Sequence, residues 1–281
     1  MRALRRRSVL IICAAITALL VAFIALPAPH ALLISAPVYQ HHERTESPKL
    51  KDSTSHGAFT YHLQDDMSVT VQEIFEVKLS AEKPRHGIMR IVPRAIARES
   101  HEQKLNFEQL VATSEQPITP TKWSPPEILQ ASAQSESEYT VIKIGQDDAV
   151  IPPGRHRFTL SYKIPTLVST VGSKHILSWN PIALWSTPIP VFSLSLVIPN
   201  SINLDESSFT LTSRAAQNPE QEISLTAPEH GMLTFKPGKT HTTIGVSLKE
   251  PLPANHIVTL NFQWPAEYAE HRGMLRSGKL M

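Results

Sequence analysis

Cysteine is nearly missing from this chain: the 281 residues contain one, Cys13. The rest of the chain therefore has no disulfide framework, no thiolate nucleophile and no thiolate zinc site, and packing alone must stabilise it. Glycine is scarce as well, 10 residues against 23 prolines. Proline cannot donate to a strand ladder, so Pro125-Pro126, Pro152-Pro153, Pro188-Ile189-Pro190 and Pro251-Leu252-Pro253 predict strand starts, edges and corners. Basic clusters are lacking beyond residue 7. With the four leading arginines set aside, 23 Lys and Arg face 25 Asp and Glu. That balance argues against a nucleic-acid partner, which needs a concentrated basic face. The GxSxG elbow, the P-loop and the Rossmann glycine fingerprint are also missing. A Ser-His-Asp site assembled from distant strands stays open, because triads are defined by geometry.

One long hydrophobic run is present, and it sets the expected address. Arg2, Arg5, Arg6 and Arg7 precede Val9 to Leu26, which carries no charge and a single hydroxyl, Thr17. At about 1.5 Å per helical residue the run just crosses a hydrocarbon core of about 30 Å, with the basic flank on the cytoplasmic side. A cleaved signal would end at a small-x-small site, but Ala28 has Leu26 and Ala31 has Pro29 at the minus-three position. The reading is therefore a cytoplasmic basic segment (1–7), a retained transmembrane signal-anchor (8–26) and a proline-containing stalk (27–55). Cys13 follows Ile12 where a lipobox wants a small residue, so it is read as a packing residue within the helix. Adjacent His41 and His42 point to opposite sides of an extended stalk, which disfavours a metal site there.

Beyond the stalk the hydrophobic period becomes two. Ser68 to Leu79 places Val69, Val71, Glu73, Phe75 and Val77 on one side, after an Asp65-Asp66 turn. Similar runs recur at 139–144, 157–164, 175–179, 191–198, 208–212, 222–226, 232–235, 242–248 and 256–264. Short strands punctuated by proline-rich turns predict an all-β, antiparallel β-sandwich of immunoglobulin-like type. Residues 56–199 are read as one sandwich, 200–265 as a smaller β unit packed on it, and 266–281 as a tail. Residues 100–112 are arguable as a short helix, and the serine-rich stretch 131–138 has the composition of a loop.

Three clusters stand out by spacing: His86-Gly87-Ile88-Met89-Arg90-Ile91-Val92-Pro93, Gly154-Arg155-His156-Arg157-Phe158 leading to Tyr162, and Leu177-Ser178-Trp179-Asn180 followed by Trp185 and Pro188-Ile189. With the V-x-E strand at 71–73 and the I-x-I-G at 142–145, their order resembles the N-terminal ectodomain of a predicted-membrane-protein family, domain of unknown function 2207 (DUF2207, YciQ-like). The resemblance runs over residues 57 to 199. Met89 stands where that family favours Tyr or Phe, Ala183 where it favours glycine, and Asp66-Met67 where it has an Asp-Gly turn. The resemblance further implies an extracytoplasmic β domain tied to a membrane. Further transmembrane helices and a glycine-rich cytoplasmic tail are common in the family, and no second apolar span follows here.

Each singled-out residue has two readings. Gly87 suggests unusual backbone angles. Arg90 offers a planar fork for a carboxylate or phosphate, or else is tied to backbone carbonyls or to Glu73 across two strands. Trp179 and Trp185 either line a sugar- or peptide-binding groove or plug a core. Asn180, directly before Pro181, reads as a turn-former. His86, His156 and His175 read as structural histidines, since no ligand spacing accompanies them. Pro93 and Tyr162 complete the candidate set His86, Gly87, Arg90, Pro93, Tyr162, Trp179, Asn180 and Trp185. The expected function is a non-catalytic binding or scaffolding module at the cell envelope. It needs no cofactor or metal, takes another membrane or envelope protein as partner, and sits in the cytoplasmic (inner) membrane with its N-terminus inside. The competing expectation is an envelope hydrolase or glycan-processing enzyme.

Overall fold

Period-two alternation makes a strand with one buried and one wetted face, and most of the chain that the structure describes is built from such strands. The computed structural model describes residues 52–266, apart from 83–84, 94, 98–101, 120–121, 136–138, 146–147 and 184. The basic segment, the apolar run, residues 27–51 of the stalk and the tail from 267 lie outside the described residues. Among the described residues no helix is long and apolar enough to cross a membrane.

In chain order the strands begin with β1 (Ser53–Leu63), β2 (Val69–Leu79), β3 (Gly87–Pro93), β4 (Ala95–Ala97), β5 (Glu102–Lys104), β6 (Glu108–Glu115) and β7 (Pro117–Thr119). Next come β8 (Lys122–Trp123), β9 (Glu127–Leu129), β10 (Ala131–Ser135), β11 (Tyr139–Gly145), β12 (Gly154–Ile164), β13 (Val168–Val171) and β14 (Lys174–Ile182). The last are β15 (Val191–Pro199), β16 (Ser208–Ala215), β17 (Asn218–Ser224), β18 (Gly231–Pro237), β19 (His241–Leu248) and β20 (His256–Pro265). They form an eight-stranded sheet in the order β18-β19-β15-β1-β2-β12-β6-β9, a five-stranded sheet β13-β14-β20-β16-β17, a three-stranded sheet β10-β11-β3 and two short ribbons. Within residues 100–112, arguable as helix, the structure has strands β5 and the greater part of β6 instead. The serine-rich stretch also forms a strand over Ala131–Ser135, paired with β11.

The all-β expectation holds, but the arrangement is not the seven-strand immunoglobulin pattern, which divides four and three. The large sheet is mixed, because β1 lies parallel to β15. The cause is the route of the chain: after β14 it crosses to the other sheet over residues 183–190 and enters β15 at the end where β1 starts. Nor does either large sheet break at residues 199 and 200. Strands β18 and β19 complete the eight-stranded sheet beside β15, while β16 and β20 complete the five-stranded sheet beside β14.

Two of the proline signals explain this corner. In Pro188-Ile189-Pro190 and Pro251-Leu252-Pro253 only the middle residue has an N–H, and those two middle residues pair with each other. Ile189 N donates to Leu252 O at 2.9 Å and Leu252 N to Ile189 O at 3.0 Å, with both side chains buried. Pro125-Pro126 and Pro152-Pro153 directly precede β9 and β12.

The β1–β2 hairpin turns at Asp65-Asp66-Met67. The Asp66 carboxylate accepts the Ser68 N–H at 3.0 Å and its hydroxyl at 2.5 Å, bonds that hold its carboxyl below the usual range. Met67 takes φ 65°, left-handed backbone that costs an L residue about 1–2 kcal/mol. Met67→Gly should stabilise the protein by about 0.5–1 kcal/mol after allowing for glycine's greater freedom when unfolded. Equilibrium urea unfolding reads this; a lower midpoint would mean that the half-buried methionine side chain contributes more than the strain costs.

The candidate site: a buried ion-pair cluster beneath a cleft

Glu73 alternates with valines and Phe75 on β2, so the pleat sends its carboxylate inward, where it is 0% exposed. A lone buried carboxylate is prohibitive, and Arg90 on β3 answers it. Arg90 Nε donates to Glu73 Oε2 at 2.8 Å and Nη2 to Oε1 at 3.2 Å, a two-pronged pair. Nη1 donates to the Ile91 carbonyl and Nη2 also to the Pro181 carbonyl. Tyr162 on β12 gives its hydroxyl proton to Glu73 Oε1 at 2.8 Å. Burial alone would lower the Arg90 guanidinium, yet the charge and hydrogen bonds of Glu73 hold it above its ordinary value. Burial, and then Glu73, push the Tyr61 and Tyr162 phenols well above theirs. The cluster joins β2 and β12 of the large sheet to β3 and β14 of the other two, so it ties the layers together.

Trp179 is 1% exposed and lies toward Tyr61. The pair falls short of hydrogen-bond geometry, leaving the indole N–H and the Tyr61 hydroxyl without partners. Asn180 and Pro181 form no turn. They sit in a bulge of β14, where the register against β20 shifts between Trp179 and Ile182, which is where a strand tolerates proline. The buried Asn180 amide oxygen accepts the Thr259 hydroxyl at 3.1 Å. Trp185 stacks on Phe75, with centroids 4.6 Å apart and planes at 7°. It donates its N–H to Thr54 Oγ1 at 2.9 Å, and that hydroxyl meets Thr187 Oγ1 at 2.8 Å.

Gly87 serves a close approach rather than an unusual backbone angle. It faces Gly145 across β3 and β11, and a Cβ on Gly87 would stand 2.1 Å from the Ile144 carbonyl oxygen. Its partner carries the special angle, φ 128°, and a Cβ there would stand 2.1 Å from the His86 carbonyl. Pro93 closes β3 opposite Tyr139. Of the histidines, His86 is exposed beside Gly87. His156 is buried, with Nε2 facing the Pro152 carbonyl at 2.7 Å and Nδ1 facing Ser114 Oγ at 3.3 Å. The carbonyl requires a proton on Nε2. His175 meets Thr170 Oγ1 at 2.9 Å and lies against Trp264. Among the described residues no three His, Cys, Asp or Glu side chains come together as a metal site.

Burial holds His62, His175 and His256 below their ordinary 6.5, with His241 adding to the effect on His62. A depressed histidine prefers the neutral folded state, so its contribution is complete above about pH 6.5 and is lost as pH falls through the folded value. The melting temperature should fall between pH 7.5 and pH 5.5. The fall should be smaller in the His62→Gln, His256→Gln double variant, and equal falls would remove these histidines from the account.

Above the cluster the motifs meet again at the surface. Gly87, Ile88 and Met89 from the first, and Ala183 and Trp185 from the third, line a cleft of about 510 Å³. Its apolar wall includes Val77, Leu79 and Ile91, and its polar rim includes Asp52, Arg85, Ser186 and Asn255. Arg85 Nη2 pairs with Asp52 Oδ2 at 2.6 Å, and Asp52 Oδ1 accepts the Ser80 N–H at 2.8 Å. Arg85 Nε is buried without a partner. Sequence reasoning missed Arg85, Asp52 and Thr54. The one local signal was a charge immediately ahead of the His86-Gly87 motif.

The chain belongs to the family described as predicted membrane protein (DUF2207) N-terminal domain, whose model matches residues 54–264. The match thus extends well past residue 199, in keeping with strands that interleave across that point. No curated protein matches the chain. Among solved structures it is similar to a putative protease from Parabacteroides distasonis (TM-score 0.40, 10% identity, 75% of this chain and 40% of that one). Others are the M1 zinc metallopeptidase of Deinococcus radiodurans (0.41, 10%, 75% and 42%) and the yeast LTA4 hydrolase (0.44, 9%, 79% and 31%). The chain spans less than half the length of each of these proteins.

Proposed function

We propose that this chain is a non-catalytic docking module of the cell envelope, held at the inner membrane by the apolar run at 8–26 with its N-terminus inside, and that its partner is another membrane or envelope protein. The supporting observation is how the motif residues are used. Glu73, Arg90 and Tyr162, the groups best suited to chemistry, are buried and satisfied by one another. Trp179 is enclosed as well. What the motifs leave at the surface is a cleft beside β3, an edge strand of its sheet, with Met89 68% exposed on its rim. Unpaired strand edges and exposed apolar side chains are features of association surfaces. A tether to the membrane raises the effective concentration of such a surface near its neighbours.

The test pairs two measurements on the full chain. Crosslinking in intact membranes is expected to capture a discrete protein partner, and incubation with peptidoglycan, glycan and ester substrates is expected to give no turnover. Turnover abolished by His86→Ala, with folding retained, would overturn the reading in favour of an envelope hydrolase.

A further inference from the structure

We infer that the cleft is a peptide-binding site: it takes an extended segment of a partner protein, added as a strand to the free edge of β3, with an apolar side chain on the Val77–Leu79 wall and a carboxylate on Arg85. This rests on the docking reading above and names the partner chemistry. The edge is legible from hydrogen bonding. Gly145 N–H donates to the Gln130 carbonyl at 2.9 Å, away from β3, so Gly145 and Gly87 form a non-hydrogen-bonded pair of the antiparallel ladder. By alternation the backbone groups of Gly87, Met89 and Ile91 point away from β11. The Ile91 carbonyl confirms the direction, because Arg90 Nη1 caps it from the core side, and Pro93 has no N–H. Among the described residues the edge is therefore closed at its far end and open at Gly87 and Met89, which line the cleft.

Three further features fit a peptide that carries an acid. Arg85 lines the cleft and pairs with Asp52 through Nη2, while its buried Nε–H is unpartnered. A second carboxylate can reach the guanidinium from its solvent side, since the Arg85 side chain is 39% exposed. The wall is apolar, and strand addition places alternate side chains into such pockets. A sugar is served less well: Trp185 has one face against Phe75 and its N–H on Thr54, so its donor is already engaged and a single face is left for stacking.

The probe is a phage-displayed library of random decapeptides, panned against the full chain in nanodiscs and counter-selected on empty nanodiscs. Enriched peptides should carry an apolar residue near an Asp or Glu. Their affinity, read by fluorescence anisotropy, should fall at least tenfold in Arg85→Gln. It should rise in Asp52→Asn, which removes the competing carboxylate but keeps the oxygen that accepts the Ser80 N–H. Amide signals of Gly87 and Met89 should shift on binding. No enrichment over empty nanodiscs overturns the proposal, as do enriched peptides indifferent to both substitutions or a preference for glycan fragments in the same cleft. A membrane partner crosslinked elsewhere on the surface, with no peptide bound in the cleft, would sink this inference while leaving the docking reading intact.

Discussion

Replacing Arg90 by methionine should destabilise the protein by about 3–5 kcal/mol, because it strands the Glu73 carboxylate in a site with no access to water. Glu73 is 0% and Arg90 1% exposed, so no hydration compensates either partner alone. The Tyr162 hydroxyl would remain on Glu73, and the Pro181 and Ile91 carbonyls would lose their donor. A loss of that size is a large share of the roughly 5–15 kcal/mol that holds a domain together. Replacing both partners, Glu73→Leu with Arg90→Met, should recover a substantial part of it, since apolar residues of similar volume substitute well for a buried pair. Equilibrium unfolding of the two single variants and the double variant makes the comparison. If Arg90→Met alone were neutral, the guanidinium would not be the tie between layers described here.

Trp179→Ala should cost about 3–5 kcal/mol and lower the melting temperature sharply. The side chain is 1% exposed, among the largest fully buried groups, and removing it opens a cavity between β14 and Tyr61. Its N–H has only the nearby Tyr61 hydroxyl to interact with, so most of the cost is packing. Trp185→Ala should behave differently, since Trp185 is half-buried and also positions the Thr54 hydroxyl: a smaller loss of stability accompanied by loss of binding at the cleft. A Trp179→Ala variant with wild-type stability and no partner binding would reverse these assignments.

The strands were the most legible part of the sequence, because period-two alternation writes burial directly: Glu73 is buried among Val69, Val71, Phe75 and Val77 as its spacing required. The proline signals read correctly for the same local reason, the missing N–H. Tertiary pairing was less legible. That β1 lies parallel to β15, or that β18 and β19 extend the same sheet, depends on a layer crossing that no local pattern encodes. The short strands around 102–135 carry sparse apolar residues and are held by neighbours, so composition misread them as helix or loop. Gly87 shows a subtler limit: the need for glycine was visible, but the reason, a carbonyl 2.1 Å from where a Cβ would stand, exists only once β3 meets β11. In the candidate site the Arg90–Glu73 pairing was accessible from charge and alternation. The cleft was not, because Asp52, Arg85 and Trp185 are brought together from distant parts of the chain.

Docking through the cleft is tested most directly by site-specific photocrosslinking in intact membranes. The full chain would carry p-benzoylphenylalanine in place of Met89 on the cleft rim or, as a control, in place of Ile128, which is 81% exposed on β9 at one edge of the large sheet. A discrete adduct with one partner protein is expected from position 89, absent from position 128 and lost when Arg85→Gln is added. No adduct from position 89, or the same adducts from both positions, would contradict the account.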